Sequence, residues 1–333
     1  MKFKSVLVTG RGGPENVEMT ERELHPPMQG QARIRILAAP VCQDDIAARR
    51  GDRPFLPKLP FTPGYAFVGV VDEVGAAVPE IRVGDHVAAL TQLGAHAEYI
   101  HWDAGKLMRV PEGLDPVRVA PLILNYLVAY QCLHRSVKVK AGDRILLIGA
   151  SGGVGTAFLE LGRIAGLKMY GLASPAKHGV LRSQGVLPVD YHAEDYARVV
   201  RTAEPGGVDY VFNGMGEEYF APAVALLRRG GILVHYGGPQ SFWAFLVLIA
   251  RLGWYNLLPN GKKIVGYGTH TVDLDLLKED WAVLFRLLEG GQINPLIAAT
   301  LPIVQAAEAY QLLESGETVG NLVLIGSESL QRR

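Results

Sequence analysis

A chain of 333 residues, 49% of them hydrophobic, can bury a large core, and at about 150 residues per domain this length predicts roughly two domains. The 33 Lys and Arg balance the 33 Asp and Glu, and no basic run of about five residues occurs, which argues against nucleic acid or another polyanion as partner. Only Cys42 and Cys132 could form a disulfide, and the opening MKFKSVLVTGRGG lacks an apolar stretch long enough for a signal peptide, so a reducing, cytoplasmic setting is expected.

The first third of the chain carries QARIRILAAPV, FVGVVDEVG, GDHVAAL and HAEYIHW. These are short β-rich segments punctuated by Pro and Gly, with no amphipathic helix between them, and they predict an antiparallel or barrel-like domain. From residue 144 to 264 the pattern changes to strand candidates RILLIG, KMYGLA, VDYVFNG and GILVHYG, separated by helical stretches such as GVGTAFLELGRIAG and PAKHGVLRSQG. That alternation predicts a doubly wound parallel sheet, and the fold class is α/β. Beyond it, LLKEDWAVLFRLLEGG and VQAAEAYQLLES read as helices and NLVLIG as a closing strand.

The junction RILLIGASGGVGTA carries the chemistry. A parallel strand ending at Gly149 puts the next turn at the carboxyl edge of the sheet, where open α/β sheets bind ligands. The turn runs Ala150, Ser151, Gly152, Gly153, Val154, Gly155, an A-x-G-x-x-G variant of the usual glycine pattern. Gly152 permits close backbone approach, Gly155 permits close helix packing, and the helix start offers N–H groups to an anion. A plain strand-to-helix turn would also explain glycines here; the strand–turn–helix setting favours a dinucleotide site. The second strand ends YGLASPAKH, with Ser174 where an NAD-preferring site carries an acid. Lys177 is placed to meet a 2′-phosphate and Tyr191 could add a hydroxyl, so NADP(H) is the expected cofactor; a solvated helix-face lysine is the alternative for Lys177.

Several ordered motifs resemble the medium-chain dehydrogenase/reductase superfamily, and within it the zinc-independent quinone oxidoreductase group. They are PGYAFVGVVDEVGAAVPEIRVGDHVAAL, VCQDDIAARRG and APLILNYLVAYQCL, while ASPAKHGVLRSQGVLPVDYHAEDY is similar to the vesicle amine-transport-protein-like branch. The resemblance implies a GroES-like catalytic domain over residues 1–122 and 268–333, a Rossmann domain over residues 123–267, and a homodimer. It places the nicotinamide near Cys42, Val128 and the backbone of Tyr236, Gly237, Tyr267 and Gly268, and completes the cofactor set with Asn213, Thr269 and Asn321. It matches Asp45 and Arg49 to the group's Asp and Arg, pairing to support the cleft wall. Two positions depart from the pattern: Cys42 replaces an Asn and Val128 a Thr. Tyr65 and Tyr267 are then the hydroxyl donors available for catalysis.

No metal is expected. A catalytic zinc takes three ligands of the Cys, His or Glu type; Cys42 matches the first ligand position of the zinc-dependent cousins, but Tyr65 and Ala66 stand where their His-Glu pair would lie. In a metal-free site the protein mainly holds the nicotinamide C4 about 3 to 3.5 Å from an electrophilic carbon and excludes water, which suits a quinone or an activated alkene. The segment SFWAFLVLIARLGWYNLLPN, residues 241–260, is apolar all round and predicts burial in a core or dimer interface, with a substrate-pocket wall or lipid contact as alternatives. As a wall, Trp243, Phe245 and Trp254 would favour small-molecule substrates with bulky apolar bodies. Arg251 interrupts the segment, and no integral membrane span is expected. The expected function is an NADPH-dependent reductase of quinones or activated alkenes. A cofactor-binding protein with little turnover and a structural or membrane-associated role is the alternative, and a zinc alcohol dehydrogenase a third.

Overall fold

The computed structural model describes residues 2–192 and 195–326, apart from the His270 side chain. The chain forms two compact units, one of Met1–Leu124 with Leu274–Arg333 and one of Asn125–Asp273.

The first unit is built on a seven-stranded sheet. Strand Gln31–Val41 lies at its centre and pairs antiparallel with Ala66–Val74, Tyr99–Asp103 and Asn321–Ile325. Side chains alternate across a strand, so Ala32, Ile34 and Ile36 enter one apolar core with Phe67, Val71 and Val87. This is the GroES-like sheet domain the motifs imply. The stretch also holds a helix, Gln43–Arg50, that the β-rich reading lacks. Its buried face mixes Ile46 and Ala48 with Asp45 and Arg49, so no apolar helical period marks it.

The second unit is a Rossmann-type six-stranded sheet in the order Leu187–Val189, Lys168–Leu172, Arg144–Ile148, Val208–Asn213, Leu227–His235, Lys263–Gly266. Every pairing is parallel. Strands covered on both faces read as continuous apolar runs, and Ile145, Leu146, Leu147 and Ile148 are all buried. The two edge strands are absent from the sequence-level candidates. One is three residues long and contains Pro188, which an edge tolerates; the other, Lys263–Gly266, is four residues long with only Ile264 buried, too short for a periodic signal.

At the amino edge of this sheet Asp209 accepts hydrogen bonds from the Arg144 backbone N–H and Nε, both at 2.9 Å, and from Arg228. Burial alone would push its carboxyl up, but the bonds from Arg144 and Arg228 prevail and hold it at about 2, below the ordinary 3.8. A carboxyl depressed in the folded state adds stability above its unfolded value, and that stability is lost as pH falls through the folded one. Urea unfolding of the wild-type protein should therefore show stability falling between pH 3.8 and about 2. Asp209→Asn should begin less stable and lose less across that window; parallel curves for the two proteins would refute the assignment.

Burial of residues 241–260 in the core of the chain is not observed. Their helix, Phe242–Leu257, buries only Leu248 fully, while Trp243, Trp254 and Leu257 are 75%, 66% and 81% exposed. It rests on the sheet edge through Leu252 and Tyr255 and through Asn256, which exchanges two hydrogen bonds with the backbone of Ile264. A uniformly apolar helix has no preferred face for the core, so packing on one strand leaves the rest of its apolar surface outside. Among the described residues no helix is long and apolar enough to cross a membrane.

Candidate functional site

The sheet order sets the position of the candidate site. From Arg144–Ile148 the chain moves outward to Lys168–Leu172 and Leu187–Val189, then returns to the other side at Val208–Asn213. The switch point lies between the carboxyl ends of Arg144–Ile148 and Val208–Asn213, where open α/β sheets bind their ligands. Gly149 occupies it with φ +89°, a left-handed conformation that glycine adopts without strain. A Cβ on Gly155 would lie 2.3 Å from the Gly149 carbonyl oxygen and 2.5 Å from the Ala150 carbonyl carbon, so the helix meets the turn backbone to backbone. On Gly152 a Cβ would meet nothing closer than 3.8 Å, which leaves that side of the turn open.

Helix Gly153–Ile164 starts here, and no side chain caps its N-terminus. Its first amides have no intrahelical acceptor and make a ready anion site. Phe158 anchors the helix by packing on Phe212 and Tyr236, with ring centroids 4.7 and 5.6 Å away. An open turn beside uncapped amides at a switch point fits the diphosphate of a dinucleotide.

Other sequence-predicted residues share this carboxyl edge. Ser174 precedes the short 3-10 turn Pro175–Lys177, just past strand Lys168–Leu172. Tyr191 follows strand Leu187–Val189 and stacks on His192 at 4.1 Å. Asn213 is fully buried, and its side chain holds the next turn: its amide donates to the Gly216 carbonyl at 3.0 Å, and its oxygen accepts from the Met215 N–H at 2.8 Å. Tyr236 and Gly237 follow strand Leu227–His235, next to His235, whose imidazole burial pushes down to about 4. Val128 lies nearly buried on helix Leu127–Gln131. The Tyr267 hydroxyl donates to Gln131 Oε1 at 2.6 Å, and Gly268 and Thr269 follow it.

The remaining predicted residues belong to the first unit. Asp45 acts there as a clamp: Oδ2 accepts from the Cys42 N–H at 2.9 Å and its thiol at 3.0 Å, while Oδ1 accepts from the Gly64 N–H at 2.9 Å. The carboxylate thereby fixes the Cys42 turn and the segment leading into Tyr65. The expected Asp45–Arg49 pair is not formed. Arg49 is fully buried and instead binds the Glu314 carboxylate and the Gly12 carbonyl, because helix Ala306–Glu314 brings an acid to it from far along the chain. Sequence reasoning also lacked His96, which is fully buried, accepts or donates at the Tyr310 hydroxyl at 2.6 Å, and lies 3.9 Å from Asp45. Tyr65 is buried ahead of strand Ala66–Val74, and Asn321 starts strand Asn321–Ile325 with its amide on the Leu296 carbonyl.

Residues 28–112 match the family of the alcohol dehydrogenase GroES-like domain, and residues 185–324 that of the zinc-binding dehydrogenases. The human (Homo sapiens) synaptic vesicle membrane protein VAT-1 homolog is 31% identical over 342 residues, covering 97% of this chain and 86% of that protein. The 2-haloacrylate reductase of Burkholderia sp is 30% identical, covering 96% and 98%. The chain belongs to the medium-chain dehydrogenase/reductase superfamily. Among solved structures, a mycobacterial protein complexed with NADPH is 25% identical with a TM-score of 0.84, covering 97% of this chain and 99% of that one.

Membership of this oxidoreductase superfamily raises the question of zinc, and the donors of this member do not fit it. Cys42 matches the first ligand position, but its thiol donates to Asp45 Oδ2 at 3.0 Å. Asp45 is already committed to two backbone amides, and Tyr65 and Ala66 supply no metal ligand of the usual type. Among the described residues no three His, Cys, Asp or Glu side chains gather as a metal site.

Proposed function

We propose that the protein is an NADPH-dependent reductase of quinones or activated alkenes, with bulky apolar substrates and no metal. The observation that carries this reading is the turn at the switch point, where Gly149 and Gly155 allow backbone contact and the uncapped helix start faces outward. In this reading the amides of Gly153, Val154 and Gly155 hold the diphosphate, with Ala150, Ser151 and Gly152 forming the turn. Lys177 takes the 2′-phosphate, Ser174 leaves room for it without repulsion, and Tyr191 lines the adenosine end. Asn213, Tyr236, Gly237, Gly268 and Thr269 shape the nicotinamide side, with Asn321 assigned to it by resemblance.

When bound, NADPH supplies a hydride from its nicotinamide to an electrophilic carbon of the substrate. The chain's part is to orient that carbon and keep water out. In the second unit Val128 suits an apolar wall, and in the first Cys42 is buried with its thiol on Asp45. Tyr65 or Tyr267 is assigned as proton donor, with Tyr267 oriented through Gln131. Asp45 positions the Cys42 and Tyr65 backbone. A conjugated carbonyl spreads the incoming charge, which suits quinones and enones; the 2-haloacrylate reductase also acts, by its name, on an activated alkene.

Lys177→Ala should weaken NADPH by roughly fivefold or more and leave NADH nearly unchanged, because an ion pair to phosphate is lost only with NADPH. Equal losses for the two coenzymes, measured by titration, would refute the role of Lys177. The function itself is tested by following NADPH absorbance with a panel of quinones and enones. Oxidation with at least one class is expected, and binding without turnover across the panel would overturn it.

That second outcome would favour a cofactor-binding protein at a membrane surface. The exposed Trp243, Trp254 and Leu257 of helix Phe242–Leu257, followed by Lys262 and Lys263, fit an anionic lipid face, and the human relative's name places that protein on a vesicle membrane. In either case the protein is assigned to the cytoplasm, with both cysteines unpaired, and to a homodimer.

A further inference from the structure

We propose that Met215 is an oxidation site that controls coenzyme binding: peroxide converts its thioether to the sulfoxide, and the turn at Gly149 then holds NADP(H) weakly. This inference rests on the coenzyme reading above and adds a reactive residue to that site.

Three observations place Met215 against the turn. It follows strand Val208–Asn213 at the switch point, and its backbone is pinned by the buried Asn213 side chain, which binds the Met215 N–H at 2.8 Å and the Gly216 carbonyl at 3.0 Å. Its side chain lies on the glycine turn itself: a Cβ built on Gly149 would stand 3.4 Å from Met215 Cγ and 3.5 Å from its sulfur. Its carbonyl oxygen would lie 2.8 Å from a Cβ on Gly237, so Met215 sits where three strand ends converge.

Despite this placement Met215 is 45% exposed, whereas Met169, the other methionine of this unit, is buried. An exposed thioether is open to oxidation, and at this position it is an apolar contact for whatever occupies the turn. The sulfur lone pair attacks one oxygen of hydrogen peroxide. An S–O bond forms, the O–O bond breaks, and the second oxygen leaves as water after proton transfer. Sulfur is oxidised by two electrons and the peroxide is reduced by the same two. The product carries a polar, partly negative oxygen where a diphosphate is to bind, and the apolar contact is gone. Methionine sulfoxide reductases reverse the change, so the site works in both directions.

The test uses the full-length protein treated with dilute hydrogen peroxide, with peptide mass spectrometry to locate each added oxygen and NADPH titration before and after. We expect Met215 to be oxidised and the NADPH Kd to rise about tenfold, the scale of losing one buried apolar contact. Saturating NADPH during treatment should slow oxidation at Met215 and leave the exposed Met28 of the other unit unprotected. Methionine sulfoxide reductase should restore the affinity. In Met215→Leu the ratio of Kd after treatment to Kd before should stay near one, whatever its starting affinity. An oxidised Met215 with unchanged affinity, an equal rise in Met215→Leu, or a Met215 that resists while Met28 reacts would overturn the proposal. Untreated protein that does not bind NADPH at all would overturn the coenzyme reading and this inference with it.

Discussion

Gly155→Val is expected to abolish coenzyme binding and to destabilise the protein, the largest effect we anticipate from a single substitution in the second unit. The added Cβ would sit 2.3 Å from the Gly149 carbonyl oxygen and 2.5–2.6 Å from the Ala150 carbonyl, and all of these atoms are backbone. No rotamer change relieves such contacts; the helix must move off the turn. Forcing atoms into a packed site costs about 1–3 kcal/mol. Helix movement also carries the amides of Gly153 and Val154 away from the anion they would hold. Thermal melts should show the loss of stability, and titration should show no NADPH saturation. Gly152→Ala provides the contrast: its Cβ meets nothing within 3.8 Å, so the fold should persist with its melting temperature nearly unchanged while the new methyl narrows the open side of the turn and weakens NADPH. Normal coenzyme affinity in Gly155→Val would contradict this account of the turn.

Asp45→Ala is the corresponding lesion in the first unit. It removes the acceptor for the Cys42 and Gly64 N–H groups at once, in a region where Cys42, Tyr65 and His96 are all buried. Leaving a buried donor unsatisfied costs about 1–3 kcal/mol, so the two amides together predict a loss of about 2–6 kcal/mol. Gly64 makes the effect harder to absorb. At φ +108°, with a Cβ position only 2.3 Å from the His96 backbone nitrogen, its turn has little freedom to rotate its amide toward another acceptor. Asp45→Asn keeps one acceptor oxygen and should lose distinctly less. Chemical denaturation of the three proteins checks the order wild type, Asn, Ala; an Ala variant as stable as wild type would show that Asp45 is not the clamp.

These two sites differ in how far the sequence announces them. The glycine turn depends on residues within one strand–turn–helix unit. Its requirements, no Cβ at Gly155 and a left-handed Gly149, are local and appear as glycines at fixed spacing after an apolar run. The parallel sheet is legible for the same reason, since strands buried on both faces are written as unbroken apolar runs. The Asp45 clamp is local on its Cys42 side, but it reaches Gly64, a neighbour only after folding, as Glu314 is for Arg49. The motif marked Asp45 and Arg49 as a pair, and the structure puts them four apart on one helix, a spacing that allows contact. The tertiary structure gives each a distant partner instead.

Helix Phe242–Leu257 illustrates a different limit. Composition says that it is apolar, but burial depends on what else the fold places around it, and strand Lys263–Gly266, Phe220 and Glu217 meet it on one side while Trp243, Trp254 and Leu257 stay exposed. Met215 carried a local hint, a bulky side chain between two glycines in NGMG, yet its contact with Gly149 joins two strand ends that are far apart in the chain.

The central claim is that the turn from Gly149 to Gly155 holds a pyridine dinucleotide. Isothermal titration of the purified protein with NADPH, and separately with NADH, tests it most directly. The account predicts saturable binding of about one NADPH per chain, tighter than NADH because Lys177 meets the additional phosphate. Heats that never saturate with either coenzyme would contradict it.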